Sequence, residues 1–313
     1  MNALVLSGGS VKGAFQAGAM KALIEKGFYP SFLYGISVGS LNATFINNEA
    51  GKQNVLNEKL LDWNIITENL ITFWKENVRK PSDLIIKRKF MCLALAILRG
   101  KFNGITDTTP LRELVRRLVT MDNISRSPLK QKAGTVNFIN GDIIYADPLY
   151  SDFLDFVIAS SAIPIVMPAM LINSTPYFDG GLREIAPLKP AIQSGADSIV
   201  AILCQPEKLG TSGYSYQNSI QLLERMTDIM CNEIENNDIE YFNDINKCVP
   251  EDGSIATEGC HIGKRKLKLI VIRPENEIEV DISSFTSKDI FDMIDLGYNT
   301  AKDILSGVTV KWS

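Results

Sequence analysis

The chain has 313 residues, 45% of them hydrophobic, with 36 acidic and 32 basic side chains and a formal charge of −4 at pH 7. That length suits one large domain or two small ones with a sizeable core, and the acidic balance argues against a nucleic-acid footprint. No apolar run reaches the roughly 18–20 residues that span a bilayer as a helix.

In chain order, NALVLSGG (Asn2 to Gly9) is a short apolar, β-branched run ending in glycines, and reads as a buried strand. The N-terminus lacks the basic region and long apolar core of a signal peptide. AFQAGAMKALIEKG places apolar residues at helical spacing, with Gly27 as the stop. SFLYGIS (Ser31 to Ser37) is a second strand and VGSLNATFINNE (Val38 to Glu49) a second helix. Strand, glycine turn and helix, repeated, is the pattern of a parallel sheet. Later strands are expected at Gly134 to Asn140, Ser198 to Cys204 and Leu267 to Pro274. Helices are expected at Pro110 to Val119, Asp152 to Ser161, Pro187 to Gly195 and Ser219 to Asn236, with a closing helix at Asp289 to Leu305. There is no internal repeat and no long linker, so the chain reads as a single α/β domain. Its middle is less regular: residues 81–101 join the basic cluster Lys87-Arg88-Lys89 to the apolar run Phe90 to Leu98, with Arg99 and Lys101 behind. That segment is either a core helix with a solvated basic end, or a lid or interfacial helix that meets anionic lipid.

Three short motifs carry chemistry. In LYGISVGSLNA, Ser37 stands between Gly35 and Gly39, where a strand gives way to a helix. Small flanking residues allow the sharp turn that exposes a serine nucleophile, and the helix dipole favours negative charge there; a helix N-cap is the plain alternative. SGGSVKG (Ser7 to Gly13) is a glycine-rich turn whose N–H groups can form an anion nest, for an oxyanion or for a phosphate. The match to nucleotide-binding fingerprints is poor. In YFDGGL, Asp179 precedes Gly180 and Gly181; the pattern is that of a tight turn, but it follows ASSAIPIVMPAM, an extended segment able to carry Asp179 back toward Ser37.

The chain contains one histidine, His261, in a polar, glycine-dotted stretch that reads as an exposed loop. The order Ser37, Asp179, His261 fits an α/β-hydrolase triad, but only one strand precedes the one that ends at Ser37, where that fold's elbow comes after several. An aspartate can act as the base directly if desolvation raises its pKa, so a Ser37–Asp179 dyad fits better than a triad. Cys248, Cys260 and His261 make an incomplete metal set, and five cysteines, odd and scattered, point to a reducing, cytoplasmic setting.

Together SGGSVKGAFQAG, GISVGSLNA and DGG, in this order, resemble the patatin-like phospholipase family, with NGITDTTPLREL, ASSAIPIVMPAM and GLREIAPLKPAIQSGAD in support. The resemblance covers most of residues 1–204, leaves 205–313 as a less diagnostic extension, and implies a three-layer α/β/α fold with a mostly parallel sheet. It implies a lipid acyl hydrolase, a phospholipase A or carboxylic-ester hydrolase, that uses neither a histidine nor a metal or other cofactor. By position, Ser37 is the nucleophile and Asp179 its base; Gly8, Gly9 and the N–H of Ser10 line the oxyanion hole. Lys12 falls where the family has a basic residue that orients the loop, and Gly13, Gly35, Gly39, Gly180 and Gly181 fall at the motif glycines. Two departures stand out. Ser10 replaces the family's third glycine, which predicts a negative φ there, and Val38 is larger than the usual residue beside the nucleophile. The expected partner is a phospholipid or other acyl lipid, with peripheral membrane contact. An esterase or thioesterase on small soluble substrates, and a non-catalytic lipid-binding protein, are the alternatives.

Overall fold

A computed structural model describes residues 1–210, 219–307 and Trp312. Its centre is a mostly parallel sheet. Strands β1 (Asn2–Leu6), β2 (Pro30–Ile36), β5 (Lys130–Asn137), β9 (Ser198–Ile202) and β10 (Lys268–Ile272) are parallel, in the spatial order β10-β9-β1-β2-β5. Strands β6 (Ile143–Ala146), β7 (Met170–Ile172) and β8 (Thr175–Asp179) extend it in antiparallel fashion. A separate two-residue ribbon pairs β3 (Ile86–Lys87) with β4 (Thr106–Asp107).

Side chains on a strand alternate between faces, and β1 shows why an unbroken apolar run was needed. Leu4 and Leu6 join the core under helices α1 (Gly13–Glu25), α2 (Val38–Gln53), α3 (Trp63–Asn77) and α10 (Ser287–Ser306). Ala3 and Val5 face the opposite layer, where α8 (Leu188–Ile192) and Phe242 of α9 (Ser219–Lys247) pack. Helices α5 (Thr109–Leu118), α6 (Met121–Arg126) and α7 (Phe153–Ala159) build a further core around β5 to β8. The sheet thus lies between helical layers, as the sequence led one to expect. Helices α1 and α10 cross with their backbones in contact: a Cβ on Gly18 would overlap the Ile294 carbonyl, and one on Gly297 the Phe15 carbonyl.

Two expectations need correction. Strand β5 begins at Lys130, before the predicted Gly134, and ends at Asn137; Phe138 and Ile139 are exposed in the β5–β6 turn, where Gly141 adopts φ 75°. The early part, KQK, looks too polar for a central strand, yet Gln131 is buried in hydrogen bonds with Asn47 and Thr44 of α2. The second concerns α9, which was expected to end at Asn236 and runs on to Lys247. Of the two readings left open for residues 81–101, burial speaks against the core helix: none of the nine residues of α4 (Phe90–Leu98) is buried.

Candidate active site

Register brings Ser37 and Asp179 together. Gly134 of β5 pairs with Ile36 of β2 on one edge and with Tyr145 of β6 on the other; Thr135 pairs with Asp179 of β8 and with Ile144 of β6. Strands β2 and β8 therefore lie along the same edge of β5, running toward each other and ending at consecutive residues. Where they meet, both chains must leave the sheet: β2 turns at Ser37 into α2, and β8 turns at Gly180-Gly181. A Cβ on Gly180 would lie 2.5 Å from the Gly134 carbonyl oxygen, so this position requires glycine.

Ser37 has φ 54° and ψ −128°, a left-handed conformation that costs a non-glycine residue about 1–2 kcal/mol. Hydrogen bonds hold it there. The Ser37 N–H donates to Ser160 Oγ at 2.9 Å, whose hydroxyl donates to the Gly134 carbonyl at 2.6 Å. The Ser37 carbonyl accepts from Ser40 N–H at 2.9 Å and Ser40 Oγ at 2.7 Å. A Cβ on Gly39 would overlap the Leu6 carbonyl, so α2 starts this close to β1 only with glycine there. Ser160 went unnoticed in the sequence, where it is merely a serine at a helix end; its partners lie far away in the chain. Replacing it with alanine orphans a buried donor and a buried acceptor. Ser160→Ala is expected to cost about 3 kcal/mol in urea denaturation, with a parallel loss of function through the displaced elbow.

Asp179 is buried, and its N–H donates to the Ala162 carbonyl at 3.0 Å. Burial pushes its pKa up to about 7, against the pull of the Gly181 N–H at 2.7 Å and of hydrogen bonding with the Ser37 side chain. Desolvation wins because only one N–H and one hydroxyl replace the water shell of the carboxylate.

The glycine loop sits against the elbow: a Cβ on Gly8 would come 3.3 Å from Ser37 Cβ. Its donors differ from the expected set. The Gly8 N–H is tied up by the Ile185 carbonyl at 3.2 Å, which removes Gly8 from the oxyanion donors. Among the described residues the N–H groups of Gly9 and Ser10 have no acceptor, and Ser10 lines the pocket. Ser10 has φ 53°, not the negative value predicted; the loop keeps the shape a glycine would take, at a cost of about 1–2 kcal/mol. Lys12 points away from the pocket, into the interior, where Nζ lies 3.4 Å from Gln205 Oε1 and 3.6 Å from Asp228 of α9. These contacts tie the glycine loop to α9 from behind. Gly13 lets α1 approach Val38 and Trp74.

Helix α9 also braces the other loop. Asp238 Oδ2 accepts from Ile185 N–H at 3.1 Å and Ala186 N–H at 3.0 Å, fixing the segment whose carbonyl holds Gly8. Burial raises Asp238 to about 8 and Glu235 to about 7, the latter despite Arg273 at 3.5 Å. The sequence offered no local sign of either residue's role.

His261 lies at the other end of the sheet. It belongs to the loop before β10, and that loop is pinned by Arg265 to the carbonyls of Gly195 and Ala196, just before β9. Ser37 follows the far end of a parallel strand. Five residues of strand, about 16 Å, separate the two ends.

Beside Ser37 an apolar pocket opens between α2, α3, α5 and the residues around 163–167, lined by Val38, Phe45, Trp74, Leu111, Val115 and Met167 among others. Its space is ≈ 910 Å³ with the open mouth included. A buried carboxyl against a strained serine, beside unpaired backbone N–H groups and an apolar pocket, is an arrangement fit for acyl transfer.

The chain belongs to the patatin-like phospholipase family, whose profile matches residues 4–192. It is similar to the uncharacterized protein YjjU of Escherichia coli K12, with 26% identity over 223 residues, 66% of this chain and 53% of that protein. It therefore spans about half the length of that curated relative. Among solved structures it is similar to VipD from Legionella pneumophila, at 14% identity and TM-score 0.45, covering 97% of this chain and 66% of that one. It is also similar to the structure of ExoU with SpcU, from the type III secretion system of Pseudomonas aeruginosa, at 15% identity and TM-score 0.30, covering 77% and 52%.

Proposed function

We propose that the protein is a lipid acyl hydrolase whose catalytic dyad is Ser37 and Asp179. The observation that carries the reading is the meeting of a strained serine and a desolvated aspartate at adjacent positions of β5. With its pKa raised to about 7, Asp179 is a competent base at neutral pH. It takes the Ser37 proton as Oγ bonds to the ester carbonyl carbon, and the carbonyl electron pair moves onto oxygen. The N–H groups of Gly9 and Ser10 receive that oxyanion, a role worth about 3 kcal/mol per donor in comparable sites. Collapse expels the alcohol, which takes the proton from Asp179 and leaves an acyl ester on Ser37. Water, deprotonated by Asp179, then attacks the acyl carbon; collapse releases the fatty acid and expels Ser37 Oγ, which takes the proton back from Asp179. The scheme uses no metal ion and no other cofactor.

The apolar pocket favours a long acyl chain over a small soluble ester or thioester. A non-catalytic lipid carrier would have no use for a desolvated carboxylate beside a strained serine. Acyl lipids reside in membranes, so the reading includes peripheral contact with a bilayer; no helix among the described residues is long and apolar enough to cross one. The reading includes the reducing, cytoplasmic setting that an odd, scattered set of five cysteines suggests.

A fluorophosphonate probe tests the reading. It is expected to form one adduct, mapped by mass spectrometry to Ser37, and p-nitrophenyl esters are expected to be cleaved with kcat/KM rising with acyl length. A folded protein that neither reacts with the probe nor cleaves any ester overturns it.

A further inference from the structure

We propose that α4 and its basic flanks are a docking element for an anionic lipid surface, set at the mouth of the pocket. Phe90, Met91 and Leu98 are 85%, 79% and 84% exposed, and Ile97 and Leu95 are exposed as well. A nine-residue helix that is apolar on all sides buries none of its residues in the protein. Water is a poor solvent for such a surface, and a contiguous exposed apolar patch marks a contact site.

The charges select the occupant. Lys87 and Lys89 precede the helix, and Arg99 and Lys101 follow it, all exposed; no acidic residue lies between Ile85 and Lys101. Apolar residues flanked by cations at both ends match the layering of an anionic bilayer, with acyl chains inside and phosphates outside. The helix is about 13 Å long, too short to cross the roughly 30 Å hydrocarbon layer, so it lies in the interface.

Its placement links docking to the pocket. The excursion leaves the pocket wall at Leu84 and Ile85 and returns to it at Leu111. Its base is hydrogen bonded to the loop that supplies Ile163 and Met167 to the same wall: Ile105 N–H donates to the Ile165 carbonyl, and Thr106 N–H to that of Val166, both at 3.0 Å. Ile165 itself has φ 70°, a costly conformation for a β-branched residue, and is 55% exposed. It adds an apolar contact next to the base of the excursion. Docking α4 sets the pocket mouth against lipid.

The role as substrate port rests on the acyl hydrolase reading, whereas vesicle binding does not, and the test separates the two. The Ser37→Ala protein is co-sedimented with vesicles of phosphatidylcholine alone, or of phosphatidylcholine mixed with phosphatidylglycerol. Binding is expected to the mixed vesicles and to weaken with salt. F90D/L98D and, separately, K89E/R99E/K101E are each expected to weaken it roughly 100-fold. In the Ser37-containing background, the same changes are expected to leave cleavage of a soluble ester unaltered and to reduce cleavage of vesicle lipid. Arg88 is left in place, because its guanidinium holds the Asn103 carbonyl. Unchanged vesicle binding in both variants overturns the proposal. So does a wild-type dimer in light scattering that F90D/L98D dissociates, which would make a second copy the occupant, or a gain of soluble-ester activity on charge reversal, which would make α4 a lid. If binding is lost as expected while no ester is cleaved by any form, docking stands and the hydrolase reading fails.

Discussion

Asp179→Asn is expected to lower kcat/KM for an acyl ester about a thousandfold, Ser37→Ala to abolish turnover, and His261→Ala to change nothing. An asparagine keeps the size of the side chain and can still accept the Gly181 N–H, so the fold persists while the base is gone. General-base removal typically costs 10²–10⁴-fold, and loss of the nucleophile leaves only the contribution of the oxyanion donors and binding. The insensitivity of His261 follows from its position before β10, at the opposite end of the parallel strands from Ser37. A large loss in His261→Ala with an unchanged melting curve would mean that a histidine takes the proton, and would refute the dyad.

Activity and stability are expected to respond to pH in opposite directions. Asp179 must be ionised to act as a base, so kcat/KM rises about tenfold per pH unit up to about 7 and then levels. For stability, the folded-state pKa of Asp179 lies above its ordinary value near 4. Its contribution is therefore fully present below pH 4 and is lost as pH rises through 7. Glu235 and Asp238, raised to about 7 and 8, act in the same sense. For Asp179 alone the loss is of the order of 4 kcal/mol above pH 8. Asp179→Asn carries no charge at any pH. It is accordingly expected to melt higher than the wild type at pH 9, with a shallower dependence of Tm on pH, although it is nearly inactive. Melting curves across pH 5–9 decide this, and a variant less stable than the wild type at pH 9 would show that the carboxylate is well solvated in the folded protein.

The residues legible in the sequence are those whose roles are enforced locally. A serine between glycines at a strand end, an aspartate before two glycines and a glycine-rich turn all advertise tight backbone geometry, and the structure puts the three together. What stayed hidden depends on partners distant in the chain. Nothing near Gly8 reveals that its N–H is taken by Ile185, and nothing near Ser160 or Asp238 reveals which backbone groups they hold. Ser10 misled because a local rule, that serine avoids positive φ, yields where the surrounding loop dictates the shape. The start of β5 was hidden because Gln131, polar in sequence, is satisfied by Asn47 and Thr44 across the layer. Periodicity had no power over α4, since a short, uniformly apolar helix reads the same in a core as at a surface.

The crossing of α1 and α10 through Gly18 and Gly297 has a consequence for how the molecule is made. Synthesis on the ribosome is vectorial, and the glycine loop and Ser37 emerge well before α10. Yet α1, which carries that loop, cannot bury the face it presents to α10 until residues near 297 have been translated, and β1 lacks its neighbour β9 until residue 202 is out. Pairings between such distant parts of a chain form late. The elements around Ser37 are thus completed only after α10 has emerged, so any activity they support would begin only once that helix has docked.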